Sequence, residues 1–129
     1  MTPNTAPTRT AKVVVAALLA IAGAAIPSPA SAATCHGGAV EAHYGDALEL
    51  GPYRTTSRCN DINLKLTGGT SSYVNACVKF ARTGVCNRWT RVNKGGWQTI
   101  ATDVLDGTSF TVPLGVPLEG DSATVLIAF

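Results

Sequence analysis

Hydrophobic and polar residues alternate strictly along residues 61–67, whose sequence is DINLKLT. Ile62, Leu64 and Leu66 occupy one parity, and polar side chains occupy the other. Because successive side chains of a β-strand point to opposite faces, this pattern predicts a strand with one buried and one wet face. The same alternation predicts a second strand over residues 73–80. Its inward residues are expected to be Val74, Ala76, Val78 and Phe80.

The segment Val85–Val92 follows a Thr-Gly turn and is predicted to be the return strand of a hairpin. In this register Trp89 shares the inward parity of Val85, whereas Cys77 and Cys86 both face outward. A disulfide between these two cysteines would then clamp the register that places Trp89 in the core.

Later runs rich in β-branched and aromatic residues predict three more strands. Their expected bounds are 97–104, 110–114 and 123–129. Pro113 has no N–H to donate to a ladder, so its strand is predicted to lie at a sheet edge. The final run, ATVLIAF, is so apolar that exposure would favour aggregation, and we expect it to be a central strand. The pattern is weakest over residues 33–52, where we expect only a short strand at 47–50.

About six to eight short strands at near-regular spacing, separated by turn residues, predict an all-β fold. The expected architecture is a small antiparallel β-sandwich, immunoglobulin-like or similar. Beyond the first residues of the chain, no stretch has a sustained helical pattern.

The N-terminal residues have the features of a secretory signal peptide. Two basic residues precede Val13–Ile26, a 14-residue run of apolar and glycine residues, and the Ala-Ser-Ala at residues 30–32 suits a cleavage site. A membrane anchor is the rival interpretation, but the run is shorter than the roughly 20 residues that span a bilayer. We therefore expect a helical signal peptide at residues 1–32, cleavage near Ala32, and a single secreted, extracellular domain at residues 33–129.

All four cysteines follow the expected cleavage site. A 97-residue domain buries only a limited core, roughly 60–65% of its unfolded surface, and an even number of cysteines in a secreted chain predicts two disulfides. Three pairings are possible, and the positions of the cysteines along the chain favour Cys35–Cys59 with Cys77–Cys86. Closing these loops would contribute roughly 3.5 and 2.7 kcal/mol by the chain-entropy estimate. Because no Cys-x-x-Cys pair is present, a zinc site is disfavoured.

Signal cleavage also changes the charge of the protein. Loss of two basic residues reduces Lys plus Arg from 10 to 8, which equals the 8 Asp plus Glu. A neutral domain with scattered basic residues argues against nucleic-acid partners and against attachment to an anionic membrane.

Aromatic side chains are the first candidates for a binding site. Exposed rings on a sheet stack on sugars or anchor protein partners, whereas buried rings belong to the core. The parity of Trp97 opposes that of Ile100, so either Trp97 faces solvent or a β-bulge intervenes. Tyr73 and Trp97 are the predicted binding patch.

Arg82 is the second candidate. It lies in the segment Ala81–Val85, between Cys77 and Cys86, where a disulfide would hold a rigid loop. A basic residue at the tip of such a loop suits the preference of a trypsin-like protease.

No catalytic residue, metal ligand or cofactor is predicted. Only His36 and His43 are suited to act as neutral-pH bases, and no nucleophile motif accompanies them. Asp106-Gly107 is first of all a turn pair, and the spacing of a calcium-binding EF-hand is absent. We therefore expect a protein that is not an enzyme.

Parts of the sequence resemble a group of small, four-cysteine secreted proteins of actinomycete bacteria. The resemblance spans about Tyr53–Val112 and is carried by Cys59-Asn60-Asp61-Ile62-Asn63, Cys77-Val78-Lys79-Phe80, Cys86, Trp89, Trp97 and the run Ala101–Phe110. It implies secretion, two disulfides and a compact β fold, and it brings no active site to carry over.

The combined expectation is an extracellular binding module, monomeric, for cell-surface or environmental polysaccharide or for a protein. The alternative is a secreted antagonist, a protease inhibitor or antibacterial factor, that acts through the Arg82 loop.

Overall fold

The computed structural model describes residues 35–45 and 48–129. The predicted signal peptide at residues 1–32 and its cleavage site lie outside the described residues. Within the described part, no helix is long and apolar enough to cross a membrane.

Residues 35–37 are helical, and the rest of the described chain forms nine strands joined by turns and loops. The strands are β1 Val40–Tyr44, β2 Glu49–Arg54, β3 Ile62–Gly68, β4 Tyr73–Ala76, β5 Lys79–Phe80, β6 Thr90–Asn93, β7 Trp97–Ala101, β8 Ser109–Gly115 and β9 Ala123–Ala128.

The strands build two antiparallel sheets that enclose one hydrophobic core. Sheet I has the order β1-β9-β3-β7, and sheet II has the order β2-β8-β4-β6, with the short β5 beside β8. The disulfides are Cys35–Cys59 and Cys77–Cys86. The predicted β-sandwich and its favoured disulfide pairing are therefore confirmed.

Strand β3 behaves as its alternation predicts, because Ile62, Leu64 and Leu66 are fully buried. Leu64 lies opposite Ile127 of β9, and Leu66 lies opposite Val125. Burying each such side chain contributes about 1.5–3 kcal/mol. Strand β9 lies between β1 and β3, so the prediction that the final strand is central is also confirmed.

The prediction that Pro113 marks an edge strand is wrong, because β8 lies inside sheet II, between β2 and β4. The neighbouring chain provides the reason. It breaks between β4 and β5, at Cys77 and Val78, and the Cys77 amide donates to the Pro113 carbonyl. The Val78 amide bonds instead to the side chain of Asn87, so the missing proline N–H coincides with an interruption in the ladder.

The sequence pattern did not reveal strand β1. In this strand Ala42 and Tyr44 pack against the core, while Glu41 and His43 face outward. Its signal is weak because the inward positions are held by a small residue and a tyrosine. Part of the strand expected at residues 47–50 is present as the beginning of β2, and Ala47 itself lies outside the described residues.

Antiparallel topology gathers alternate connections at the same end of the sandwich. We call one end the turn end; it contains residues 69–72, 94–96 and 116–122. The other, which we call the loop end, contains residues 35–39, 55–61, 81–89 and 102–108. Both disulfides lie at or beside the loop end.

Candidate functional site

Trp97 lies on the outer face of sheet I, opposite Lys65 of β3. A register shift between β3 and β7 adds one residue to β7, so Ile100 and Ala101 are both buried. Plain alternation from Ile100 already places Trp97 on the outer face, and the bulge accounts instead for the burial of two consecutive residues, Ile100 and Ala101.

One face of the Trp97 ring is covered. The His36 ring stacks on it with centroids 4.2 Å apart and planes inclined by 11°. The Lys65 ammonium lies 5.9 Å from the ring centroid. The Cys35–Cys59 disulfide holds His36 in place, so much of the indole is unavailable to an external sugar or side chain.

Tyr73 lies on the other sheet. It alternates with the buried Val74 on β4, and it therefore faces outward from sheet II. The guanidinium carbon of Arg91 lies 3.6 Å from its ring centroid, in cation–π contact. Tyr73 and Trp97 are thus on the outer faces of different sheets, and no described contact joins them.

Trp89 is not a core residue, and the sequence prediction for it is wrong: its exposed fraction is 56%. Strand β6 begins only at Thr90, and it buries Val92, which has the opposite parity. The regular return strand expected from Val85 onward does not form, and Val85 is itself exposed.

Asn87 explains why the strand is replaced by an irregular segment. Its side-chain oxygen accepts hydrogen bonds from the amides of Val78 and Arg88, at 2.9 and 2.7 Å. Its side-chain nitrogen donates to the Ile100 carbonyl of β7, at 2.9 Å. One side chain thereby bridges the two sheets and turns the chain, which resets the parity of the residues that follow.

The expectation that Cys77 and Cys86 both face outward is also wrong. Cys77 is fully buried, and Cys86 is half-buried. The disulfide is thus shielded at Cys77, whereas a flat hairpin would have left both sulfur atoms exposed.

Arg82 lies at the centre of an exposed turn that is closed by hydrogen bonds. The amides of Thr83 and Gly84 both donate to the Phe80 carbonyl, at 3.1 and 2.8 Å. Gly84 ends the turn with a φ of 68°, a conformation that glycine adopts without steric cost. The Cys77–Cys86 disulfide joins the chain on either side of this turn.

The exposed side chains at the loop end include apolar, aromatic and basic residues, a composition that is typical of a contact surface. Leu105, 81% exposed, projects from residues 102–108, and Val85 and Trp89 project from residues 81–89. Arg82 and Arg88 lie in the same segment and are exposed. Tryptophan and arginine are enriched at the energetic centres of protein interfaces.

Shallow cavities separate the two segments. One of about 320 Å³ lies between the Arg82 turn and residues 102–108, and its walls include Phe80, Val104 and Leu105. Another, of about 330 Å³, lies between Asn87–Arg88 and residues 99–102. Because Thr102 lines both, the two form one continuous surface.

The titratable groups do not form a reactive cluster in the described structure. His43 lies 3.6 Å from Glu41 on the outer face of sheet I, and both side chains are more than half exposed. His36 is stacked on Trp97 instead. Among the described residues, no three His, Cys, Asp or Glu side chains are placed to hold a metal ion.

Two groups away from the loop end have shifted pKa values. Hydrogen bonds from Thr111 and Lys79 lower the pKa of Glu49, whose carboxylate lies 3.1 Å from the Lys79 ammonium. Burial raises the pKa of Tyr53, whose ring packs between Phe110 and Phe129. Both shifts arise from structural contacts.

Comparison with known proteins gives no match to this chain: no protein family, curated protein or solved structure is significantly similar to it.

Proposed function

We propose that this chain is an extracellular, non-enzymatic binding protein that contacts a protein partner through its loop end. The observation that carries this function is the exposure of Trp89 at 56%, beside Arg88 and on the same end as Leu105. Large apolar side chains grouped with arginine on a rigid surface are typical of interfaces with other proteins.

The rest of the molecule supports this function. Two disulfides are consistent with an extracellular protein, since such bonds persist in oxidising compartments. They also hold the loop end in one conformation, which lowers the entropy lost when a partner binds.

A protein partner is favoured over a polysaccharide by the state of the aromatic rings. Stacking on a sugar requires an open ring face. His36 occupies one face of the Trp97 ring and the Arg91 guanidinium occupies one face of the Tyr73 ring, so neither ring offers both faces to a sugar. Trp89 retains an accessible surface, and the other exposed residues of its segment include the apolar Val85 and the cationic Arg82 and Arg88.

Site-specific photo-crosslinking tests the proposal. A benzophenone amino acid is placed at position 89 or 105 of the purified protein, which is then exposed to the extracellular proteins of the organism that produces it. Leu118 is the matched control position, since it is 68% exposed and lies at the turn end. We expect the same partner to be crosslinked from positions 89 and 105 and not from 118.

Competition supplies the second readout. Unlabelled wild-type protein should abolish the crosslink, whereas a Trp89→Ala, Leu105→Ala variant should compete at least about tenfold more weakly, the loss of two interface anchors. Equal competition by the variant would refute a contact surface at the loop end. Saturable pelleting with peptidoglycan, chitin or cellulose that is lost in Trp97→Ala would replace it with a polysaccharide-binding face on sheet I.

The alternative of a protease antagonist is favoured by one observation, the exposed Arg82 on a turn held by a disulfide. The backbone of the turn limits how Arg82 can act. A loop that binds like a substrate presents an extended backbone for strand-like pairing, whereas two amides of this turn fold back onto Phe80. Stoichiometric inhibition of trypsin that is lost in Arg82→Ala would establish the antagonist.

A further inference from the structure

We infer that the groove between the Arg82 turn and residues 102–108 binds a short peptide segment in which an apolar side chain lies between an acidic and a basic residue. We call this site the turn–loop groove. The inference rests on the proposed function, because it names the part of the loop end that recognises the partner and the chemistry that it recognises.

The groove has the size and lining of a site for one side chain and its neighbours. Its volume is about 320 Å³, near the lower end of the range of ligand sites, which is about 300–1,000 Å³. Phe80, Val104 and Leu105 supply apolar walls, while Arg82 and Asp103 supply one cation and one anion. An apolar side chain of the ligand packs against these walls. An acidic residue beside it pairs with Arg82, and a basic residue pairs with Asp103.

Arg82 is available for a ligand. In the described residues, no carboxylate lies within ion-pair distance of its guanidinium. A guanidinium presents a planar fork of donors that binds a carboxylate through two parallel hydrogen bonds. The acidic residue of the ligand therefore belongs beside Arg82.

Asp103 sets the other half of the specificity. Its carboxylate would repel a ligand that carries only negative charge, and it favours a basic residue next to the apolar one. Asp103 is also the one non-glycine residue among those described with a positive φ, 54°. Backbone conformations of this kind concentrate at ligand sites, where surrounding contacts maintain them.

Both walls of the groove are held in place before any ligand binds. On the loop side, the Asp103 amide donates to the Asp61 carboxylate at 3.0 Å, and the Val104 amide donates to the Asn60 carbonyl at 2.9 Å. On the turn side, two amides are bonded to Phe80. A rigid groove loses little entropy on binding, so a short peptide is sufficient to detect the site.

The test is a titration of the ¹⁵N-labelled protein with acetyl-Glu-Leu-Lys-amide, followed by the backbone amide resonances. We expect saturable shifts confined to residues 80–84 and 102–108. Arg82→Gln should weaken binding at least about fivefold, and Arg82→Lys less, because lysine keeps the charge without the planar fork. Arg91→Gln, an exposed position on β6 of sheet II that lines neither cavity, should bind as the wild type does.

Changes in the peptide test the same contacts from the other side. Replacing its glutamate by glutamine should weaken binding to the wild type and have no further effect in Arg82→Gln. Replacing its leucine by alanine should weaken binding to every variant. Replacing its lysine by glutamine should weaken binding to the wild type but not to Asp103→Asn. Shifts spread over the sheets, or equal affinity of wild type and Arg82→Gln, would overturn the inference.

The two proposals fail separately. If no protein is crosslinked from position 89 but the peptide still binds, the proposal of a protein partner is refuted and the proposal of the groove stands. If the crosslink forms but the peptide does not bind, only the proposal of the groove is refuted.

Discussion

The two ends of the sandwich are built by different means. At the turn end, short connections pack closely against one another and are joined by both backbone and side-chain hydrogen bonds: the Ser71 amide donates to the Ser122 carbonyl, and the Ser122 amide donates to the Thr70 hydroxyl. At the loop end, the connections are longer, and disulfides and side chains such as Asn87 and Thr55 hold them.

This difference distinguishes the turn end from the loop end, which we propose as the recognition surface. Close packing at the turn end leaves no room for a side chain at Gly69, where an added Cβ would lie 2.5 Å from the Ser122 carbonyl oxygen. Side-chain anchors at the loop end hold the backbone from inside, so that Trp89, Leu105 and Arg82 point into solvent. Loops positioned by a rigid scaffold are where binding residues concentrate.

Exposed apolar residues also occur at the turn end, where Leu118 is exposed and Leu48 lies just before β2. No tryptophan or arginine accompanies them within residues 69–72, 94–96 and 116–122. Isolated exposed leucines are ordinary on protein surfaces, so the contrast in composition between the ends stands.

The largest effect should come from removing the cross-link beside the loop end. Cys77→Ala with Cys86→Ala is expected to lower the free energy of unfolding by about 3 kcal/mol, mainly because the unfolded chain becomes less constrained. Chemical denaturation measures this loss. Amide hydrogen exchange should show faster opening of residues 81–89 with protection of residues 69–72 retained; equal loss at both ends would contradict the division between them.

A single methyl group tests the close packing of the turn end. Gly69→Ala is expected to cost about 2–3 kcal/mol, because the new Cβ meets backbone atoms and φ is 93°. Gly95→Ala is the matched control, because Gly95 has a φ of 106° and an added Cβ there would meet no atom within 4 Å apart from its chain neighbours. It should cost only the conformational term, about 1 kcal/mol. Equal losses in the two variants, measured by denaturation, would show that packing at Gly69 is unimportant.

The side-chain bridge between the sheets gives the next effect. Asn87→Ala removes three hydrogen bonds and is expected to cost about 2 kcal/mol. Asn93→Ala, which loses one hydrogen bond from Arg91, serves as the control and should cost less than about 0.5 kcal/mol. Fluorescence of Trp89 should also report greater mobility in Asn87→Ala. An unchanged spectrum with unchanged stability would remove Asn87 from the role assigned to it.

The smallest effect contrasts one buried hydroxyl at each end. The Thr55 hydroxyl is paired twice, accepting from the Thr108 amide and donating to the Leu105 carbonyl, whereas the Ser71 hydroxyl is fully buried with no hydrogen-bond partner among the described residues. Thr55→Val should cost about 1–2 kcal/mol, since it leaves polar groups unpaired. Ser71→Ala should leave stability unchanged or raise it by up to about 1 kcal/mol, because an unpaired hydroxyl leaves the core. Destabilisation by Ser71→Ala, measured by thermal unfolding, would mean that its hydroxyl has a partner.

Much of the fold is legible in the amino-acid sequence because local rules and tertiary packing agree there. Alternation places Ile62, Leu64 and Leu66 in the core, and the apolar final run requires a central strand. Chain positions of the cysteines favour the disulfide pairing that the structure contains. In each case a pattern that is buried or cross-linked has only one favourable arrangement.

Only part of the proposed binding surface can be predicted from the sequence. Arg82 could be identified because two cysteines bracket a turn that contains it. The exposure of Leu105 follows a turn signal in the sequence, at Asp106-Gly107, but nothing local distinguishes it from a core leucine. Alternation counted from Val85 predicts that Trp89 faces the core. This prediction is wrong because the count assumes a regular strand.

Tertiary structure alone decided that Trp89 is exposed, whereas Trp97 faces outward as its plain parity against Ile100 allows. Side-chain parity propagates along a strand only while the backbone stays regular, and one extra or irregular residue reverses it. The bulge at Ile100 lies after Trp97 and leaves its parity unchanged, whereas the turn at Asn87, which resets the parity of Trp89, depends on the Ile100 carbonyl of a strand 13 residues along the chain. The sequence by itself determined which residues prefer strands and which cysteines lie close along the chain; a contact between the two sheets, from Asn87 to the Ile100 carbonyl, decided that Trp89 reaches the surface.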